Sequence, residues 1–486
     1  MVPFRYKLSN GVRFYLVNGS NFVVSKIPLN IFRVNKATGR LLRLCDGEKT
    51  VGEIASSVAG VSEDSVFKIC EYFRTKGVLT FEPLEESEYK PYITVVIPTR
   101  DRRDEIKECL DHVFSQNYPA DKIEVIVVDD GSIDDTLEVL KNYPCQVITH
   151  KESKGQAFCR NLGVKRAKGD IVAFLDSDCM ADKDWLKELV PYFQWSPLGA
   201  VGGYVAGYFE KLSLDRYEEA FSSLNMGNRF LYGADDRSTF YVPSCNFLVR
   251  KKVFLETGGF TEGMKVGEDV DFCWRMRALG YPLLYAPLGS VKHKHRNNLC
   301  QMLKRRAEYG TSEAILYTSR SGKRKSFYIP AFAALTYFLL ALSIISYHVL
   351  PLLVLPGVVG LDIIRKLFRV KKLGIGIPIR KIAYSVLRSH FLFCYFISFH
   401  LVRYYMILIM ILGIIFHPLW IFILFSLLLS SIVDYATKRL RLSYPVFLMY
   451  YTLEHSAYQL GVFIGCIKKR TFKPYIPAFL TKSYQI

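Results

Sequence analysis

The sequence predicts an α/β protein with a doubly wound, mostly parallel sheet, preceded by a small winged helix-turn-helix unit and followed by membrane-associated helices. Three observations predict it. Short β-branched runs alternate with helix-length segments across residues 92–320, the pattern of strand and helix units around a parallel sheet. A shorter succession of hairpin, helices and closing strand fills residues 1–83, and residues 84–91 make an acidic, proline-bounded linker. Residues 321–486 change character and hold two long runs almost free of charge.

In the first unit, Tyr6–Tyr15 and Asn21–Ser25 read as a hairpin around Asn18-Gly19, a dipeptide suited to a tight turn. Pro28–Leu44 reads as a helix with Ile31, Val34, Leu41 and Leu44 on one side. Cys45–Glu48 reads as a turn, Thr50–Ala55 as a further helical segment, Val61–Lys76 as an amphipathic helix, and Gly77–Phe81 as the closing strand.

The second unit begins with Ile93–Arg100, a β-branched run ending in a proline turn, and a helix from about Asp104 to Gln116. A strand over Ile123–Val128 runs into Asp129-Asp130-Gly131-Ser132. Next come a helix over Asp134–Asn142, a strand over Cys145–His150, a helix over Gly155–Lys168 and the apolar run Asp170–Leu175, which ends in Asp176-Ser177-Asp178. A third acidic group, Glu268-Asp269, stands 92 residues beyond Asp176. Ligands of doubly wound sheets bind outside the carboxyl ends of the strands, so the acidic turns are expected along one edge.

Each acidic turn suits a different task. Carboxylates approach an anionic diphosphate only through a bridging cation, and Mg²⁺ or Mn²⁺ prefers hard oxygen ligands. Asp178 is the leading ligand, with Asp176 beside it. Asp130 can accept hydrogen bonds from a base or ribose, and Lys154 and Arg160 are within sequence reach of a diphosphate or base. Asp269, with Glu268 adjoining, suits a base that takes a proton from an attacking hydroxyl. His293 or His295 could add a metal or diphosphate contact.

From Ile93 to about His295 the chain resembles the family 2 glycosyltransferases of GT-A fold. The resemblance rests on Val95–Thr99, Val128–Ser132, the Lys-Gly-x-Ala-x-x-Arg-Asn run of Lys154–Asn161, Phe174–Asp178, Gly258–Phe260 and Gly267–Asp271, all in order. A lone Asp-x-Asp is more often a solvated turn or helix cap; six ordered motifs are specific. The resemblance implies a divalent metal held by Asp178, Asp176 and His293. It also implies a nucleotide-sugar donor contacted by Pro98, Thr99, Arg100, Asp130, Lys154, Arg160, Asp176, Asp178 and Arg275, and an inverting transfer with Asp269 and Glu268 at the catalytic position. Gln-x-x-Arg-Trp, typical of cellulose-synthase-like relatives, is absent, which argues against a long-chain processive synthase.

The N-terminal unit resembles PqqD-like peptide-recognition domains, for which strand addition to the hairpin edge is the expected mode of peptide binding; a packing module that binds nothing fits the same pattern. With that head, the transferase and Arg305–Ser312, the chain is similar to mycofactocin-system glycosyltransferases. That similarity implies transfer of glucose from UDP-glucose to a peptide-derived redox cofactor through β-linkages. A transferase acting on a polyprenyl phosphate or other lipid acceptor shares every motif and accounts more directly for the apolar segments.

The 64 basic and 45 acidic residues give a net charge of +19, which suits an acidic substrate or an anionic membrane face. Nucleic acid is not expected as a partner, because zinc-finger spacing and RNA-binding aromatic motifs are missing, and Val61–Lys76 carries Glu63, Asp64 and Glu71, a poor surface for phosphate contact. The eleven cysteines include no Cys-x-x-Cys and read as reduced thiols of a cytoplasm-facing protein. Residues 1–30 show no cleavable apolar core.

Ser326–Leu361 contains 36 residues without Asp, Glu, Lys or Arg, and Phe391–Val433 contains 43 interrupted only by Arg403. Basic groups flank both runs, at Lys323–Lys325, Arg365–Lys366, Arg369–Lys372, Arg380–Arg388 and Lys438–Arg441. If positive loops stay on the inner face, each run returns to its own side, giving hairpins with turns near Tyr347–Pro351 and Gly413–Pro418. Interfacial or re-entrant packing fits the same lengths. Between metal site and base, Tyr208, Tyr217, Phe221, Asn225 and Tyr232 read either as an acceptor platform or as a helical core stripe. Pro243–Phe247 resembles the segment beneath the acceptor, and Arg305 and Arg306 could meet either a diphosphate or lipid phosphates.

Overall fold

The computed structural model describes residues 4–26, 29–82, 88–234, 240–296, 298–319 and 326–480. Most of the expected linker, the basic residues Lys323–Lys325, Pro28 and Asp236 lie outside these residues. The chain divides into two compact units that do not follow chain order. One comprises Met1–Glu86 with Lys325–Asp434 and Pro477–Ile486, and the other Ser87–Arg324 with Tyr435–Ile476.

In the first unit, β1 (Arg5–Leu8), β2 (Arg13–Val17), β3 (Ser20–Lys26) and β4 (Leu29–Val34) precede α1 (Lys36–Leu44), β5 (Asp46–Thr50), α2 (Val51–Ser57), α3 (Glu63–Thr75) and β6 (Leu79–Glu82). The expected long first strand breaks in two at Gly11, whose φ is +85°. Its halves join different sheets, β5-β1-β6 and β2-β3-β4. The expected helix from Pro28 starts only after Asn35, whose side chain accepts from the Thr38 amide. Leu29–Val34 instead pairs with β3, because Ile31, like Leu29, can then reach an apolar cluster that a helix would deny it. The three predicted helices are present, and Thr50 and Glu53 close a capping box at α2. Cys45–Glu48, read as a turn, contributes most of β5.

The same unit contains β18 (Ser326–Tyr328), α12 (Ala331–Ser346), α13 (Leu350–Lys372), α14 (Ile379–Tyr404), α15 (Met406–Leu412), most of α16 (Pro418–Lys438) and β19 (Ala478–Leu480). The turns fall where the apolar pattern placed them: Tyr347, at φ +58°, separates α12 from α13, and residues 413–417 separate α15 from α16. Two helices, α14 and α16, are long and apolar enough to cross a membrane. Many large side chains along the bundle, including Phe338, Leu353, Phe368, Phe396 and Leu424, are exposed. Inside it, His390 shares hydrogen bonds with Thr336 at 2.9 Å and Asp362 at 3.2 Å, so α12, α13 and α14 meet at a satisfied polar chain. Phe22 and Val24 of β3 pack with Val370, Ile375 and Ile382, so the N-terminal meander is seated on the α13–α14 turn.

The second unit is built on β7 (Ile93–Thr99), α4 (Arg103–Phe114), β8 (Ile123–Asp129), α5 (Thr136–Leu140), β9 (Gln146–Thr149), α6 (Gln156–Arg166) and β10 (Ile171–Leu175). It continues through β11 (Cys179–Ala181), α7 (Trp185–Leu189), β12 (Ala200–Gly202), β13 (Val205–Gly207), α8 (Ser213–Phe221), β14 (Leu231–Gly233) and β15 (Asn246–Arg250). After α9 (Lys251–Glu256) and α10 (Glu268–Ala278) come β16 (Leu283–Tyr285), β17 (Val291–His293) and α11 (Leu299–Ser319). The eight-stranded sheet has the order β14-β16-β12-β15-β10-β7-β8-β9. Its β10-β7-β8-β9 half is parallel, as expected. The other half is mixed: β15 runs antiparallel to both β10 and β12, and β14 to β16, while β12 and β16 are parallel, so the sheet keeps a parallel majority with an antiparallel insertion. Between β7 and β10 the strand order reverses, which is where such sheets open a crevice.

The final long helix, α17 (Tyr444–Lys468), belongs to this second unit rather than to the apolar bundle. It lies against α11 with backbone touching backbone. A Cβ on Gly461 would stand 2.0 Å from the Ala307 carbonyl oxygen, and one on Gly465 2.6 Å from that of Thr311. Gly461 and Gly465 form the small-xxx-small spacing that lets helices approach this closely. Gly461→Val therefore has no side chain to push aside and should destabilise this unit by ~1–3 kcal/mol, read as a lowered melting midpoint in detergent. Gly357→Val, at a position with open space, is the control. Equal midpoints for the two variants would contradict the contact.

Candidate active site

Three loops at the carboxyl edge of the parallel strands carry the acids. All five residues of β10 are buried, and the strand delivers Asp176 and Asp178 at its end. Next to it, β7 ends in Pro98 and Thr99, with Thr99 opposite Asp129 of β8. The second acidic group enters from α10, which starts at Glu268 after Gly267 in the left-handed region at φ +83°.

One side chain joins the two groups. Arg160 of α6 is fully buried and bonds Asp176 Oδ1 at 2.5 Å and Glu268 Oε1 at 2.9 Å. The two carboxylates strengthen its positive charge, against the burial that opposes it. Arg160 is thus engaged beneath the acids, a correction to its expected reach toward a diphosphate. Glu268 shares that structural duty, leaving Asp269 as the member of the pair without a cationic partner among the described contacts. The neighbouring Asn161 holds Phe260 through both its amide and carbonyl groups, which accounts physically for the Arg-Asn dipeptide.

Asp269 is half-buried. Its carboxylate accepts from the Ser244 amide at 3.3 Å and the Val270 amide at 2.8 Å. Burial, then the negative charge of Glu268, pushes its pKa up to about 7, with Arg160 and the two amides pulling the other way. A carboxylate poised near neutrality can take a proton and later release it.

Asp178 faces a different set. Its Oδ1 lies 3.5 Å from His293 Nε2 and its Oδ2 3.5 Å from Arg102 Nη2. The placement of His293 follows from the antiparallel pairing of β11 with β17, in which Cys179 is opposite His293. His295 instead packs 3.6 Å from Asp215 and edge-on to Phe209, so only His293 stands at Asp178. Neighbouring ligands of an octahedral cation stand about 3.0 Å apart, so this carboxylate oxygen and imidazole nitrogen, 3.5 Å apart, would close by roughly half an ångström to share one. Asp176 has one oxygen committed to Arg160 and the other left for such an ion.

The remaining expected donor contacts divide. Asp130 is 7% exposed. Its Oδ1 accepts from His150 Nε2 at 2.9 Å and the Lys154 amide at 2.7 Å, and its Oδ2 from Ser153 Oγ at 2.6 Å and the Gly155 amide at 3.0 Å. Four donors fill the in-plane acceptor sites of a carboxylate, so Asp130 holds the loop that starts α6 rather than offering a free acceptor. The Lys154 ammonium lies over the Phe158 ring, and Arg100 is exposed beside Asp101 at 3.6 Å. Arg275 is elsewhere engaged: it bonds Asp271 at 2.7 Å and the carbonyls of Thr257 and Gly259. It clips the loop between α9 and α10, which corrects its assignment to the donor. Arg102, not singled out in the sequence, is the arginine that reaches Asp178. A two-residue displacement from Arg100 could not be read without the turn geometry at Asp101, whose φ is +49°.

A shallow cleft opens next to His293, lined in part by Gly207, Glu218, Glu219, Asn225 and His295. Of the five residues read as an acceptor platform or core stripe, Asn225 lines this cleft. Tyr217 and Phe221 do not: they stack on each other and pack on Phe447 of α17, and the Tyr217 hydroxyl donates to Glu454 at 2.7 Å. Tyr208 donates to Glu108 and Tyr232 lies near Trp195. The core-stripe alternative holds for Tyr217 and Phe221. Arg306 is buried between Glu218 at 2.5 Å and Glu454 at 3.4 Å, so its guanidinium is not presented to solvent. Arg305 pairs with Glu308.

With this geometry in place, comparison with known proteins decides the family. Residues 94–258 match the description "Glycosyl transferase family 2". This part of the chain belongs to that family. Its mixed sheet, with acids at the carboxyl edge, is of the GT-A type. Over 321 residues the chain is 30% identical to a "Pre-mycofactocin glycosyltransferase" of Mycobacterium tuberculosis, covering 65% of this chain and 64% of that one. The chain therefore spans about two thirds, and no more, of that relative's length. It is 30% identical over 203 residues to "Glycosyltransferase AglE" of Haloferax volcanii, covering 40% of this chain and 64% of that one. A Methanococcus voltae enzyme named for transfer to a dolichyl N-acetylglucosaminyl phosphate is 24% identical over 316 residues, 62% of this chain and 95% of its own.

The raised pKa of Asp269 has two consequences. The folded chain holds that proton more tightly than the unfolded chain does. The group's stabilising contribution is therefore complete below the ordinary carboxylate range and is lost as the pH rises through about 7. If Asp269 is the base, turnover per donor at low substrate should rise across the same interval. Asp269→Asn should lower transfer more than ~100-fold, flatten that limb and leave donor affinity within a factor of two or so. A variant that keeps most of its rate, or the same pH midpoint, would contradict the role.

Proposed function

We propose that this chain is an inverting, metal-dependent hexosyltransferase that transfers glucose from UDP-glucose to a peptide-derived redox cofactor of the premycofactocin type. On this reading it builds a short β-linked oligosaccharide. The observation that carries the chemical part is the separation of roles around Arg160. One guanidinium takes up Asp176 and Glu268, while Asp178 faces His293 and Asp269 keeps a carboxyl group poised near neutrality. Donor and acceptor identities are supported by the likeness to the pre-mycofactocin enzyme.

Asp178 and His293, with the remaining oxygen of Asp176, would hold a Mg²⁺ or Mn²⁺ ion. Bound there, such an ion offsets the charge that develops on the leaving diphosphate. Asp269 takes the proton of the acceptor hydroxyl as its oxygen attacks the anomeric carbon, and a single displacement inverts that centre. Arg160 keeps Asp269 and Asp178 at a fixed spacing and spreads the negative charge of their neighbours. The Asp130-anchored loop, with Lys154 and the Pro98–Arg100 turn, borders the nucleotide.

The N-terminal unit, on this reading, is a PqqD-like module that presents a precursor peptide, and α14 with α16 holds the protein at the inner membrane face. A second acceptor class has its own supporting observation: the exposed apolar flanks of the α12–α16 bundle, together with a relative named for a dolichyl-linked acceptor. The two separate in one assay, release of UDP from UDP-glucose with Mn²⁺ in the presence of either a premycofactocin precursor or a polyprenyl phosphate. Stimulation several-fold by the precursor alone is the expected result. Stimulation by the lipid alone would replace the acceptor and leave the catalytic residues unchanged.

A further inference from the structure

Asp130, His150 and Cys159 come together from the end of β8, the end of β9 and the first turns of α6. His150 Nε2 lies 2.9 Å from Asp130 Oδ1 and 3.8 Å from Cys159 Sγ. One ligand atom from each residue falls within 4.8 Å of the others. Cys159 is fully buried and Asp130 nearly so. Among the described residues only one other trio of this kind occurs, Asp178 with Cys179 and His293, the set already described.

We propose that Asp130, His150 and Cys159 form a second cation site, selective for Zn²⁺-like ions and separate from the Asp178–His293 set. Tetrahedral Zn²⁺ takes sulfur at ~2.3 Å and nitrogen or oxygen at ~2.0–2.2 Å, so its ligand atoms stand about 3.3–3.6 Å apart. The trio needs shifts of a few tenths of an ångström to an ångström to reach that arrangement. Three ligands with one open position are enough for a Zn²⁺ site. Imidazole and thiolate also favour Zn²⁺ over Mn²⁺, whereas the carboxylate-rich set at Asp178 suits the harder ion.

The proton balance is straightforward. In the structure His150 Nε2 donates to Asp130, and His150 Nδ1 is buried without a hydrogen-bond partner. Metal entry moves the ring proton from Nε2 to Nδ1 and releases the Cys159 thiol proton to solvent. One proton leaves in all. A carboxylate, a thiolate and Zn²⁺ then sum to zero charge, which a buried site accommodates more readily than the single negative charge it holds without metal.

Turning toward the ion, Asp130 gives up part of its hold on Ser153, Lys154 and Gly155. Zn²⁺ at this position thereby inhibits use of the donor, a consequence that rests on the proposed placement of that loop beside the nucleotide. Optical titration of the full-length protein with Co²⁺ tests the site without reference to activity. One equivalent should give a thiolate-to-cobalt charge-transfer band that stoichiometric Zn²⁺ removes and excess Mn²⁺ does not. Cys159→Ser and His150→Gln should each lose the band, while His293→Ala keeps it. No band in the parent protein, or a full band in Cys159→Ser, would overturn the proposal. In Mn²⁺-supported donor hydrolysis, Zn²⁺ should inhibit the parent at least tenfold more strongly than Cys159→Ser, and equal inhibition of both would overturn the coupling to the loop. A protein without donor hydrolysis would speak against the proposed function while leaving the optical result to decide the site.

Discussion

Everything at the carboxyl edge of the sheet depends on one fully buried guanidinium. Removing a charge from water costs several kcal/mol unless partners replace the lost solvation, and Arg160 meets that cost with Asp176 on one side and Glu268 on the other. The fork of an arginine has fixed geometry, so it also sets the distance between β10 and α10, two elements that approach from opposite halves of a mixed sheet. With Asp176 and Glu268 held in this way, their sequence neighbours Asp178 and Asp269 are turned outward to different surroundings. Asp178 sits between Arg102 and His293. Asp269 sits where burial and like charge raise its affinity for a proton. The same charge arrangement thus places the carboxylates of two acidic motifs in different electrostatic surroundings.

A second buried arginine does comparable work one layer out. Arg306 of α11 lies between Glu218 of α8 and Glu454 of α17, and burial pushes the Glu218 carboxyl up to about 7 against the pull of that arginine. Because Gly461 and Gly465 let α17 lie backbone to backbone on α11, its Glu454 reaches both Arg306 and the Tyr217 hydroxyl of α8. A helix that follows more than a hundred residues of apolar bundle in sequence is therefore structurally part of the catalytic unit. Its buried Glu454, His455 and Gln459 fit that location better than contact with lipid.

The legibility of this molecule in its sequence differed by kind of signal. Strands β7, β8 and β10 stood out because their β-branched runs end in acidic or proline turns, and the apolar hairpins because Tyr347 and residues 413–417 interrupt otherwise continuous hydrophobic helices. Signals that depend on three-dimensional return were not readable. Asn246–Arg250 gives no hint of running antiparallel to β10, and Leu29–Val34 has a composition compatible with either helix or strand until β3 is beside it. At the site, the acidic motifs located Asp178 and Asp269 correctly on one edge. They could not say that Arg160 and Arg275 face inward, since a basic residue near an anionic ligand and one beneath the carboxylates that hold it produce the same pattern. Asp130 was misread for a similar reason: the amides of Lys154 and Gly155, which every residue carries, are what occupy it. The glycine pair on α17 did carry a signal, a Gly-x-x-x-Gly spacing within an apolar stretch, that would have pointed to a close helix crossing.

The central claim is that Arg160 organises the acids and does not bind the donor. An experimental structure of the protein with Mn²⁺ and UDP tests it most directly. The account predicts the ion on Asp178 and His293, with Arg160 still bonded to Asp176 and Glu268 and no closer than a second layer to the phosphates. Arg160 released from Glu268 and bonded to a diphosphate oxygen would contradict it.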